Sequence, residues 1–357
     1  MKIIYIMTLL ILIVGCSRYT PIQVAPIEIP DHFKESINVN NSNLKSDGWK
    51  NFNDEHLNSL IEIALQNNLN YQMTLNEIEI AKAKEKSIFA ELLAFDSKSD
   101  PAIQVEILEA KSRMVKLTLV SAVADVYFKI ATVNANIANV SKQHDIASSL
   151  LKITKTQYDI GYIDSAALRN VKIKETSVKN DIKSLKKQQK IYMNSLADLL
   201  GQYPEDTNIQ IAPLPYETEF QNFLPKSSPE QVLSDRPDIQ VAFLQVAANK
   251  TPYDQAMINY KATVLNAFQE VDNALLAFKE DQEALLSEKN ILKDVTNDYK
   301  SAEIQYNTGQ IDYATLLSFE LRLLQSEYKL IMKNSLVYAD IIQIYKVLGT
   351  TNPHLKP

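Results

Sequence analysis

The sequence predicts a mostly α fold built from two tandem, long antiparallel coiled-coil hairpins. Three observations predict it. The first is an internal duplication. Gln157-Tyr158-Asp159-Ile160-Gly161-Tyr162-Ile163-Asp164 returns as Gln305-Tyr306-Asn307-Thr308-Gly309-Gln310-Ile311-Asp312, and Leu200-Gly201 returns as Leu348-Gly349, at one shared spacing. The second is the scarcity of glycine, with 6 in 357 residues, where average usage gives roughly 25. Sheets with tight turns, dinucleotide folds and phosphate loops all call for glycine. The third is four long stretches without Gly or Pro, 102–160, 162–200, 253–308 and 310–348. At 1.5 Å per residue the longer arms reach roughly 85–90 Å and the shorter ones roughly 60 Å.

The elements follow in chain order. Residues 1–15 read as a signal peptide: Lys2 is basic, and Ile3 to Val14 is an apolar run, too short for a membrane span of about 20 residues. It ends at Ile13-Val14-Gly15-Cys16, which resembles a lipobox. Cys16, the single cysteine, then becomes the first mature residue, with lipid on its sulfur and amine. An ordinary signal peptide with a coincidental cysteine is the other reading. With Cys16 lipidated, no cysteine remains for a disulfide or a metal. Residues 16–48 contain Pro21, Pro26 and Pro30 and read as a lipidated, extended tether.

Residues 49–101 form N-terminal helices. Asp54 is an N-cap, and Leu57, Leu60, Ile61, Ala64 and Leu65 make an apolar stripe. Asn67, Asn68 and Asn70 mark a break, and a second stretch runs from Tyr71 to Phe95. The first helical hairpin spans 102–201. In its return arm Leu168, Val171, Val178, Ile182, Leu185, Tyr192, Leu196 and Leu199 fall on alternating three- and four-residue steps, with Glu175 and Gln189 as polar members. Leu317, Leu321, Leu324, Tyr328, Ile331, Ser335, Tyr338, Ile342 and Tyr345 do the same in the second hairpin, 241–349. Such a heptad seam indicates left-handed helix packing. Residues 202–240 are a Pro-rich crossover, with a short strand expected over Asn208 to Ile211. Ser234 or Asp235 caps the next helix, with Pro237 in its first turn. Residues 350–357 are a tail.

Gly161 and Gly309 supply the positive φ that a chain reversal needs, so each marks a hairpin tip. Asp164 and Asp312 follow as caps of the returning helices. On chemistry alone these tips read as turns. The run Lys183, Lys186, Lys187, Lys190 reads as a solvated face.

An enzyme is not indicated. His32, His56, His144 and His354 are dispersed and make no metal-ligand pair; His144 reads as a surface residue. There is no phosphate loop and no nucleophile elbow. No cofactor and no metal site is expected. The net charge of −6 argues against nucleic acid, which calls for a basic footprint.

A lipobox and tether, an opening Trp49-Lys50-Asn51-Phe52-Asn53-Asp54, two hairpins with a Tyr-x-x-Gly-x-x-Asp tip, and Arg236-Pro237-Asp238-Ile239 opening the second half occur in this order. In this the chain resembles the TolC-type outer-membrane factor family, in its lipoprotein branch serving resistance-nodulation-division efflux pumps. The resemblance covers nearly the whole chain. It implies a homotrimer in which each subunit supplies one third of an α-helical tunnel and four strands of a shared barrel. It implies a passive, lipid-anchored conduit in the outer membrane and periplasm for exported small molecules. It implies a periplasmic adaptor and an inner-membrane pump as partners. Tyr158, Gly161, Asp164, Tyr306, Gly309 and Asp312 would then flank the adaptor-docking end, with Asp164 and Asp312 near the aperture.

The chain departs from that family in one respect. Where two barrel hairpins are expected it holds only Ala94 to Pro101 and Asn249 to Pro252. A membrane strand takes about 9–11 residues, so both hairpins are expected to be absent or truncated. The alternative function is therefore a barrel-less, lipid-tethered coiled coil that docks an adaptor and conducts nothing.

Overall fold

The computed structural model describes residues 27–35, 48–85, 101–205, 209–215, 220–224, 228–248 and 253–349. The signal peptide, Cys16 and the tail expected from 350 lie outside them. Among the described residues there are eight α-helices and two short 3-10 turns, and no residue lies in a strand.

The 3-10 turn Gly48–Phe52 leads into α1 (Glu55–Asn67). Asp54 caps α1, its side chain accepting the Leu57 N–H at 3.0 Å, and the stripe Leu57, Leu60, Ile61, Ala64 is buried. The expected asparagine break is a joint built by one residue. The Asn68 N–H closes α1 on the Ala64 carbonyl, and its side-chain oxygen accepts the Tyr71 N–H at 3.2 Å. The same side chain donates to the Leu199 carbonyl at 3.1 Å. Helix α2 (Leu69–Glu85) starts two residues before the expected Tyr71; the rest of that expected stretch lies outside the described residues.

The first hairpin is α3 (Pro101–Asp159) and α4 (Ser165–Leu199). Every position of the α4 seam from Leu168 to Leu199 is buried or half-buried, while the lysines between them are exposed. The two polar seam members have partners across the seam. Glu175 meets His144 of α3 at 3.0 Å, and Gln189 donates to the Asn134 oxygen at 2.6 Å. Pairs of this kind penalise slipped registers, because a slip buries a polar group without a partner. His144, expected at the surface, keeps its side chain 26% exposed and pairs there with Glu175 of α4.

The crossover runs against α3, with the Leu214 N–H on the Ala131 carbonyl (3.0 Å) and Asn134 donating to the Ile211 carbonyl (2.6 Å). Residues 209–211 have no regular structure, so the strand expected to end at Ile211 does not form there. After the 3-10 turn Phe220–Phe223 comes a short helix, α5 (Pro229–Asp235). Its start is a reciprocal capping box of Ser228 and Gln231, with Pro229 in the first turn. Helix α6 (Pro237–Ala247) follows without a linker, so Arg236, rather than Ser234 or Asp235, is its N-cap. The second hairpin is α7 (Tyr253–Asn307) and α8 (Tyr313–Leu348).

The four long helices lie side by side in the order α4, α3, α8, α7. Helices α3 and α7 outrun their return partners. Their extra length is covered by α1, α2 and α6 on α3, and by α6 and α5 on α7. The main core sits in this collar, and a small satellite of Ile146, Leu317 and Leu324 lies farther toward the tips. An aromatic cluster ties the halves together. Phe128 of α3 stacks on Tyr338 of α8 (centroids 4.3 Å apart), and Phe52 touches Phe128 (5.0 Å), Phe223 (5.5 Å) and Tyr338 (6.2 Å). Arg236 adds a polar clamp, bonding Asp238 (2.6 Å), Glu270 of α7 (2.8 Å) and the Val347 carbonyl at the end of α8 (2.8 Å).

The part of the expected tether that is described, residues 27–35, has no regular structure, yet it is held on α7. The Lys34 N–H donates to Asp272 (3.0 Å), and the Phe33 ring lies 5.7 Å from Phe268.

Two predictions follow from this packing. Gly201 and Gly349 both have positive φ and press on other backbone: an added Cβ would meet the Asn67 carbonyl oxygen at 2.4 Å and the Arg236 Cα at 2.9 Å. The tip glycines have the same φ sign and open space beyond. Alanine at Gly161 or Gly309 should cost about 1 kcal/mol, and at Gly201 or Gly349 about 3 kcal/mol or more. Denaturant titrations of the four variants check this; equal losses would refute it.

The second concerns Asp340 of α8. Burial, and then the neighbouring Asp281 carboxylate of α7, push its pKa up to about 7. A raised carboxyl favours the folded state while protonated, so its stabilising contribution is full below the ordinary value near 3.8 and is lost as pH rises through 7. Asp340→Asn should therefore raise the thermal midpoint at pH 8 and leave it nearly unchanged at pH 4. A rise of the same size at both pH values would contradict the raised carboxyl.

Candidate functional site

The residues singled out by the duplication meet at the ends of the two hairpins. At the first tip the Gly161 N–H donates to the Tyr158 carbonyl at 2.9 Å and the Tyr162 N–H to the Gln157 carbonyl at 2.8 Å. At the second the Gly309 N–H donates to Tyr306 at 2.9 Å and the Gln310 N–H to Gln305 at 2.8 Å. Both glycines have φ +74. This is the six-to-one closure in which a left-handed residue lets the chain leave a helix while satisfying its last carbonyls.

The returning helices begin identically. Asp164 accepts the Ala167 N–H and Asp312 the Thr315 N–H, each at 2.8 Å, with cap φ, ψ of −84, 168 and −81, 167. The hydrogen bonds from Thr315 hold the Asp312 carboxyl below the usual carboxylate range. Its cap contribution is therefore present above that range and fades in acid, as pH falls through the lowered value. Both carboxylates are occupied as caps, a role their spacing from the glycine had already indicated. Tyr158 and Tyr306 are 40% and 38% exposed, on the last turns of α3 and α7.

The tips share a backbone and differ in chemistry. Ile160 and Tyr162 at the first tip are 74% and 77% exposed. Thr308 and Gln310 stand in their places at the second. Beside it, the Tyr306 ring lies 5.6 Å from Tyr313. The exposed apolar pair is legible in the aligned repeats as a difference at matching positions; repeat-matching by itself looked past it. Cys16 lies outside the described residues.

A second surface becomes visible only in the fold. Helices α4 and α7 are the two outer members of the four-helix layer, and each has one long neighbour. Helix α4 carries eight Lys and Arg against three Asp and Glu, whereas α7 carries five Lys against ten Asp and Glu. Along α7 the exposed side chains Ile258, Leu265 and Leu286 recur on whole heptads, and Leu276 and Ile304 are likewise four heptads apart. An exposed heptad stripe on one helix is the pattern of a seam awaiting another helix. On one face of the layer all four helices line a groove of about 840 Å³, with Gln143, Asp181, Gln188, Arg322, Gln325 and Lys329 among its walls. Among the described residues no group of His, Cys, Asp and Glu is placed to hold a metal ion, and no helix is long and apolar enough to cross a membrane.

Comparison with known proteins agrees with this geometry. Residues 102–202 match the family model described as outer membrane efflux protein. No curated protein matches the chain. Among solved structures, the Campylobacter jejuni CmeC outer membrane channel superposes with a TM-score of 0.76 at 16% identity, over 94% of this chain and 95% of that one. The outer-membrane channel OprN gives 0.74 at 18% identity, over 92% and 98%. The open state of the Neisseria gonorrhoeae MtrE outer membrane channel gives 0.69 at 16%, over 94% and 98%. The structures share the fold; the family is carried by the first hairpin, whose sequence matches from the start of α3 to the end of α4. The first hairpin, residues 102–202, is thus similar to the outer membrane efflux protein family, and the whole chain shares the fold of these channels: a helical wall closed by two glycine tips.

Proposed function

We propose that three copies of this chain close into a tunnel that serves as the passive conduit of a tripartite efflux system. The single observation that carries this reading is the layer α4–α3–α8–α7 with two open edges of opposite charge. A head-to-tail contact between unlike edges either closes into a ring or runs on as a filament. A layer with a groove on one face lined by all four helices favours closure. The basic α4 of one copy meets the acidic, apolar-striped α7 of the next, so no exposed seam is left over. The polar side chains of the groove then face a water-filled lumen, where a passive path needs no chemistry on its cargo. Cys16 carries the lipid that moors the assembly to the outer membrane. The tips at Tyr158, Gly161, Asp164, Tyr306, Gly309 and Asp312 receive the helical hairpin of a periplasmic adaptor, which connects to the inner-membrane pump.

One observation favours a second reading, in which the assembly docks its adaptor without forming a pore. Between α2 and α3 lie residues 86–100, and between α6 and α7 residues 248–252. Two membrane strands need roughly 20 residues before any turn, and neither segment has them.

Mass measurement of the mature, membrane-extracted protein should give three copies, each heavier than the bare polypeptide by its acyl chains. Glutamate at Lys183, Lys186, Lys187 and Lys190 together should weaken the trimer at least tenfold, and high salt should weaken the native trimer in the same direction. A monomer at all concentrations would overturn the tunnel. Single-channel recording then separates the two readings. A steady conductance supports the conduit; an intact trimer with no conductance supports the docking protein.

A further inference from the structure

The four-helix groove contains a side chain that the fold and the tunnel leave unexplained. Ser326 of α8 is 6% exposed and lines the groove, and its hydroxyl has no hydrogen-bond partner among the described residues. A helical serine ordinarily returns its hydroxyl to the carbonyl four residues back, as Ser318 does to Ala314. Ser326 instead holds a buried donor and acceptor in reserve, which is unfavourable unless something else satisfies it.

Its neighbours indicate what that is. Arg322, Ser326 and Lys329 follow i, i+4, i+7 on α8, so they lie on one helix face. Arg322 shares its charge with Asp298 at 3.3 Å, both groups being largely exposed, and Lys329 forms no ion pair among the described residues. Two cations with a hydroxyl between them form an arc suited to an anionic head. Beside the arc, Val140, Leu185 and Val295 give the same groove an apolar floor. Asp181 on α4 lines the opposite wall and repels an anion toward α8. We infer that this groove is a binding station for an amphipathic organic anion, its apolar body on the floor and its sulfonate, sulfate or carboxylate head at Arg322, Ser326 and Lys329. The site lies about 20 Å from the second tip along α8. It is built within a single chain, so it does not depend on trimer closure or on conduction.

Three probes with one ring and different heads test this: naphthalene-2-sulfonate, naphthalene-2-sulfonamide and 2-naphthylmethylammonium. They are titrated by ring fluorescence into the full mature chain in lipid nanodiscs, against empty nanodiscs. The sulfonate should bind one per chain, at least tenfold tighter than the ammonium, with the sulfonamide between. Arg322→Gln and Lys329→Gln should each weaken the sulfonate about tenfold, and Ser326→Ala about threefold. Asp181→Asn should tighten it severalfold, a gain that a folding defect does not produce. Equal binding of sulfonate and ammonium, no binding above the blank, or indifference to all four substitutions would overturn the assignment. The oligomeric mass of the same samples reports separately on the tunnel.

Discussion

The contact on which the rest of the structure depends is the packing of α3 along α8. Without it the two rods would be joined only at the collar, by α6 on α3 and α7 and by the Arg236 clamp. With it the rods become one layer with a grooved face and two edges. The contact is strongest in the collar, where Phe128 stacks on Tyr338 and Phe52 wedges against both. Aromatic pairs of this kind add to plain area burial and resist sliding. Farther toward the tips the contact thins to Ile146 with Leu317 and Leu324. The layer is therefore anchored at one end and looser at the other.

That gradient leaves the tip end less tightly packed than the collar. The glycines divide in the same way. In the collar they are sites of close backbone approach, with Asn67 and Arg236 pressed against them. At the tips nothing lies within 4 Å of the missing Cβ. The same residue type at four equivalent places thus serves tight packing at one end and bare chain reversal at the other. Arg236 completes the collar by drawing the start of α6, the side of α7 and the end of α8 to one guanidinium. Its planar fork reaches all three at once, which an ammonium would not.

Much of this was legible beforehand, for identifiable reasons. A repeated Gly followed three residues later by Asp is a local signal, and both tips fold as local physics dictates. The heptad seams are legible because burial on a helix has a fixed period. One local signal was passed over. Ser228-Pro229-Glu230-Gln231 contains a capping box with proline in the first turn, and it starts a short helix inside what reads as crossover. The strand expected to end at Ile211 rested on an apolar patch that the fold uses to cover α3. The pairing of His144 was not legible because its partner, Glu175, is supplied by another helix.

By itself, the sequence determined the long helices, the places where the chain reverses, and the fact that the unit occurs twice. These depend on interactions a few residues apart, which a pattern in the chain records. Only the tertiary structure decided that the order is α4, α3, α8, α7, and hence that a basic and an acidic helix are the ones left open. It alone placed Ser326 in a groove without a partner. The physical reason is that a helix carries several faces, and its own periodicity does not say which neighbour each face will meet.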